Sequence, residues 1–146
     1  MKNTWVVIAH RGGARIFENP GPGKGLILLQ DIPHPEGKLK SRDLGSDEPG
    51  RAFDSHGARH SFEQEVGPAT HVAEVFARQL AGILEEGRVG HCYGKLLLVA
   101  EAGFLGILRA ALSHETSALV TVTVNKNLGH VETQEVPKHL QDVLRL

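Results

Sequence analysis

The run Lys95 to Ala100, KLLLVA, limits the possible folds more than any other part of the chain. Its interior has no polar residue alternating with the apolar ones, so neither face of a strand there can meet water. Such a strand belongs inside a sheet with helices packed on both sides. The neighbouring pattern supplies them. Val72, Val75, Phe76, Leu80, Ile83 and Leu84 recur on one helical face, with Glu74, Arg78, Glu85 and Glu86 elsewhere. Gly67-Pro68 opens this helix and Gly87 closes it, predicting a helix over 69–86. Gly103 to Leu112 (GFLGILRAAL) reads as a second helix despite Gly106, and Leu119 to Val124 (LVTVTV) as a further strand. Pro137 to Leu146 reads as a short C-terminal helix with proline in its first turn. Strand and helix alternate here, which predicts a parallel pair joined by a right-handed crossover.

The start of the chain follows a different rule. Thr4 to Ala9 (TWVVIA) is a β-branched strand, His10-Arg11-Gly12-Gly13 a turn, and Ala14 to Glu18 (ARIFE) its hairpin partner. The prolines and glycines of Asn19 to Gly25 (NPGPGKG) exclude helix and central strand, after which Leu26 to Ile32 (LILLQDI) gives a third strand. The expected fold is therefore α/β: a single domain over 1–146, with a mixed sheet of about five strands and helices on its faces.

Between the two halves, residues 33–68 show neither a helical nor a strand period. They are rich in Gly, Pro, Asp, Ser and Arg, and the segment is longer than ordinary connections. Within it, GRAFDSHGARH (50–60) sets two arginines, two histidines and one aspartate together with little to bury. Such a loop is either a solvated connector or a presented surface.

Totals narrow the choice only slightly. The chain has 146 residues, 40% of them hydrophobic and 23% charged, with a formal net charge of −1, so no overall excess of charge favours a polyanion or a membrane surface. Its N-terminal apolar run is too short for a secretory or membrane-spanning segment, which predicts a cytoplasmic protein without membrane insertion. A single cysteine, Cys92, excludes an intrachain disulfide and a Cys-rich zinc site, and reads as a filler thiol.

His56 and His60 have a spacing that suits a metal on a helix, with His71 as a third ligand, but the glycine and arginine between them indicate a loop. No metal and no cofactor are expected. Asp54, Ser55, His56, Ser61 and His71 include triad residue types, but there is no G-x-S-x-G elbow, and no G-x-G-x-x-G or P-loop follows a strand. The carboxyl ends of the parallel strands are a further candidate, since open α/β sheets bind ligands there. They carry Glu101 and Asn125-Lys126-Asn127, joined by His10 and Arg11 if the first strand runs parallel. These are read first as turn residues.

Taken in order, TWVVIAHRGGARIFE, LKSRDLGSDEPGRAFDSHGARHSFE, HVAEVFARQLAGIL and KLLLVAEAGFLGILRAAL resemble the bacterial host-attachment protein family, whose members are named as proteins required for attachment to host cells. The resemblance covers about residues 4–140. That family is in turn similar to the middle domain of archaeal and eukaryotic class-1 peptide chain release factors, which implies a ribonuclease H-like core. It also implies a protruding loop that in release factors carries a Gly-Gly-Gln tip into the ribosome. By order, Ser55 to Ser61 occupies that tip, where His56-Gly57-Ala58-Arg59-His60 replaces Gly-Gly-Gln. Peptidyl-tRNA hydrolysis therefore does not carry over. The resemblance implies a non-catalytic binding module that contacts RNA or the ribosome through the 42–61 loop. Arg42, Arg51 and Arg59 would lie on phosphates, with His56 and His60 at the tip. The alternative is a small hydrolase or nuclease using His56, His60 and Asp54 as acid and base groups. Residues 38–65 hold five Lys/Arg and six Asp/Glu, so the loop is not a plain basic arm. Oligomeric state is not legible.

Overall fold

The computed structural model describes residues 3–34 and 68–143. Five strands form one open sheet in the order β3-β2-β1-β4-β5. β1 (Thr4–His10) and β2 (Gly13–Asn19) make the expected antiparallel hairpin, and β3 (Ile27–Pro33) extends it antiparallel at the edge. β4 (Lys95–Ala100) lies parallel to β1, and β5 (Val120–Asn125) parallel to β4. The remaining described elements are α1 (Pro68–Val89), α2 (Ala102–Ala111), α3 (His114–Ser117) and α4 (Val136–His139), the last preceded by a 3-10 turn at Thr133–Glu135. The α/β class and the mixed sheet are as expected.

Alternation along the central strands divides the core in two. Val7, Ile16, Leu96 and Leu98 pack with Phe76, Leu80 and Leu84 of α1 and with Phe104 and Leu108 of α2. Val6, Ile8, Phe17, Leu97 and Val99 point the other way, where Leu128, Val136 and Leu140 cover them. Leu96 to Ala100 is apolar throughout because both faces of the strand are covered there.

Several expected boundaries are corrected. Gly87 does not end α1, which runs on to Val89. It is buried beneath two rings: a Cβ there would lie 2.8 Å from Cη2 of Trp5 and 3.0 Å from Cε2 of Tyr93. The chain leaves the helix through His91, whose φ of 59° is the left-handed conformation common just past a helix end. The buried stripe of α1 is Ala73, Phe76, Ala77, Leu80 and Leu84, whereas Val75 is 43% exposed. The small alanines let the helix approach the sheet, and Val75 falls outside that contact. α3 was not anticipated; its cap is Ser113, whose hydroxyl accepts from the Thr116 N–H at 3.1 Å. The C-terminal helix is shorter than expected. It stops after His139, with Val136 and Leu140 as its buried anchors.

Candidate site at the carboxyl end of the sheet

β1 ends at His10 and β2 begins at Gly13, so the chain reverses in a very short turn. The Gly12 N–H donates to Nδ1 of His10 at 3.0 Å, which leaves Nε2 as the hydrogen-bearing nitrogen of the neutral ring. Gly13 has φ +154°, and a Cβ there would sit 2.9 Å from the Ile32 carbonyl oxygen, so the turn tolerates only glycine. The end of β3 is tied to the same turn: the His34 N–H donates to the Gly12 carbonyl at 3.0 Å. The buried His34 ring stacks on Phe76 of α1, with centroids 4.2 Å apart and planes 4° apart. Nδ1 of His34 lies 3.3 Å from the Arg11 carbonyl oxygen.

The segment after β5 closes the other side. Gly129 packs on the His10 ring so tightly that a Cβ would lie 2.7 Å from its Cδ2. The next residue brings a second imidazole, with the His10 and His130 centroids 6.5 Å apart. Arg15, from the middle of the hairpin, reaches across to donate to the Leu128 carbonyl at 2.8 Å and to Oγ1 of Thr133 at 3.3 Å. The result is a cavity of about 370 Å³ whose polar walls include His10, Arg15, Asp31, His130, Glu132 and Thr133. It opens at the carboxyl end of β1, where an α/β sheet is expected to bind.

Because β1 runs parallel to β4, His10 and Arg11 do sit at the same end as Glu101 and Asn125-Lys126-Asn127. Of these, only His10 lines the cleft. Glu101 is the exposed residue preceding α2. Lys126 donates its Nζ to the His139 carbonyl at 3.2 Å, and Asn127 Oδ1 accepts from the Gly129 N–H at 3.0 Å. The latter two shape the turn, as their residue types suggested. Asp31, Arg15 and Glu132 were not singled out from the sequence. They come from opposite halves of the chain, and topology alone joins them.

Arg42, Arg51, Asp54, His56, Arg59 and His60 lie outside the described residues, as does the rest of the 35–67 segment. His71 is exposed near the start of α1. Among the described residues, no group of three or more His, Cys, Asp or Glu side chains is placed to hold a metal ion. Cys92 is an exposed free thiol. No helix among the described residues is long and apolar enough to cross a membrane.

At the opposite end of the sheet, Glu85 of α1 is a structural hub. Its carboxylate accepts from Arg88 at 2.5 Å and from the hydroxyls of Thr116 and Ser113 at 2.8 Å each. Those bonds, Arg88 foremost, hold its pKa at about 2 against the usual 4.5. Beside it, the buried Tyr93 hydroxyl donates to the Leu84 carbonyl at 2.6 Å, and burial pushes the phenol up to about 12.

These features define an open α/β protein with a polar cleft at the carboxyl end of its sheet. The chain matches the family described as "Protein required for attachment to host cells" over residues 5–140, and it belongs to that family. Among curated proteins none matches the sequence. A solved structure titled "Archaeal protein" is similar in fold, with a TM-score of 0.52 at 10% identity. The match covers 97% of this chain and 33% of that one, so the chain spans about a third of its length. That likeness is one of fold alone.

Proposed function

We propose that this protein is a non-catalytic binding module that contacts RNA, on the ribosome or free, with the carboxyl end of its sheet. One observation carries the reading. At the end of β3, His34 is bonded to the β1–β2 turn while its ring stacks on Phe76 of α1. The chain therefore leaves β3 at the rim of the polar cleft, and the Arg- and His-rich segment follows it in the sequence. Arg42, Arg51 and Arg59 would supply phosphate contacts, and His56 and His60 hydrogen bonds to ribose or base. The resemblance of the motif order to a release-factor middle domain supports the same choice, as does the replacement of Gly-Gly-Gln, which argues for binding over catalysis. Any effect on host attachment would then be indirect and would begin in the cytoplasm.

Fluorescence anisotropy with a short single-stranded RNA tests this directly. Each phosphate contact displaces counterions, so binding should weaken with salt, and Arg51→Ala/Arg59→Ala should flatten the slope by about one unit per lost contact. Salt-independent binding, or none, would refute the reading.

A further inference from the structure

At the amino ends of β4 and β5, opposite the cleft, another pocket of about 410 Å³ is lined by Arg88, His91, Tyr93, Gly94, Glu115 and Leu119. The first four come from the passage between α1 and β4, the last two from α3 and the residue that enters β5. Arg88 spends Nη2 on Glu85, and its Nε is buried without a partner. Among the described residues, neither the His91 imidazole nor the Glu115 carboxylate makes a hydrogen bond or an ion pair. Arg88 and Glu115 are nonetheless near each other: the Glu85 hydrogen bond foremost, with the charge of Glu115 adding to it, raises the Arg88 pKa. Opposite charges thus face one space without meeting in it. His91 holds a left-handed φ of 59°, a conformation that glycine adopts without strain. Histidine at that position sets an imidazole on the pocket wall.

A lone anion drawn to Arg88 would be repelled by Glu115, and a lone cation drawn to Glu115 would be repelled by Arg88. A small zwitterion satisfies both, because it carries the two charges side by side in the reverse order. Tyr93 and Leu119 add an apolar wall beside them. We propose that this pocket binds a free amino acid, with its carboxylate on Arg88 and His91, its ammonium group on Glu115 and an apolar side chain against Tyr93 and Leu119. Charge-assisted hydrogen bonds at both ends of the ligand supply the affinity. The site is independent of the RNA reading, since the pocket and the cleft share no lining residue.

Isothermal titration calorimetry of the full-length protein with L-leucine, L-leucinamide and N-acetyl-L-leucine tests this. The amide keeps the ammonium group and loses the carboxylate, and the acetyl derivative does the reverse. L-Leucine should bind, and each derivative should bind about tenfold more weakly, the worth of one hydrogen bond to a charged group. Trp5, the sole tryptophan, packs on Tyr93 with ring centroids 4.7 Å apart, so its fluorescence should change with the same midpoint. Glu115→Gln should erase the preference over N-acetyl-L-leucine and keep the preference over the amide. His91→Gly should weaken L-leucine binding without lowering the melting temperature, since glycine suits the backbone there. No binding of L-leucine, equal binding of all three compounds, or an unchanged preference in Glu115→Gln would overturn the proposal. A His91→Gly protein that loses stability and keeps its affinity would overturn it too, because the imidazole would then serve the fold alone.

Discussion

Glu85 shows how one side chain can tie two helices together. Three donors from α1, α3 and the residue before α3 converge on its carboxylate, and each favours the ionised form. The folded-state pKa lies below the unfolded one. The stabilisation is therefore complete above pH 4.5 and disappears as pH falls toward 2. Thermal melts of wild type and Glu85→Gln should differ at neutral pH and converge as pH falls through that window; a constant gap would contradict the assignment. Tyr93 works in the opposite sense. Burial favours its neutral phenol, so its contribution is full below pH 10 and is lost as pH rises through about 12. It is the sole tyrosine, so an alkaline absorbance titration reads it alone, with a midpoint expected near 12 while the protein stays folded. A midpoint near the ordinary 10 would show an exposed hydroxyl. Tyr93→Phe should cost about 1 kcal/mol, the usual net worth of one hydrogen bond.

Among the elements, α1 shows what periodicity can and cannot reveal. Phe76, Leu80 and Leu84 recur at helical spacing and are buried as read. Val75 was grouped with them because hydrophobicity alone does not separate a large residue beside the stripe from small ones within it. Gly87 was read as a terminator because glycine usually stops helices, whereas here it makes room for Trp5 and Tyr93, residues distant in sequence from each other. Gly87→Ala should cost roughly 1–3 kcal/mol through overpacking, though alanine is the better helix former, and a denaturant melt would show it. A stabilised variant would mean that the rings do not sit on the helix backbone. Gly129→Ala would press likewise on the His10 ring, and it should shift the His10 imidazole NMR signals while lowering stability less than Gly87→Ala, because Gly129 lies on the cleft wall rather than within either core cluster.

For the molecule as a whole, the sheet was legible and the cleft was not. TWVVIA and KLLLVA are covered on both faces, so their composition reports their place in the middle of the sheet. The hairpin and the parallel crossover follow from turn chemistry and strand-helix order. No local signal distinguishes Asp31 on an edge strand, or Glu132 in an irregular segment, from other exposed acids. Their meeting depends on β3 and the chain after β5 ending at the same side of the sheet. The proposed role lives on that side as well. Ribosome co-sedimentation from cell lysate, over a salt series, with wild type and Arg51→Ala/Arg59→Ala, tests it most directly. The account predicts that wild type travels with ribosomes at low salt and that the double variant does not, with matched melting temperatures. Unchanged co-sedimentation of a variant with lowered melting temperature would contradict it, showing that those arginines hold the protein's own fold.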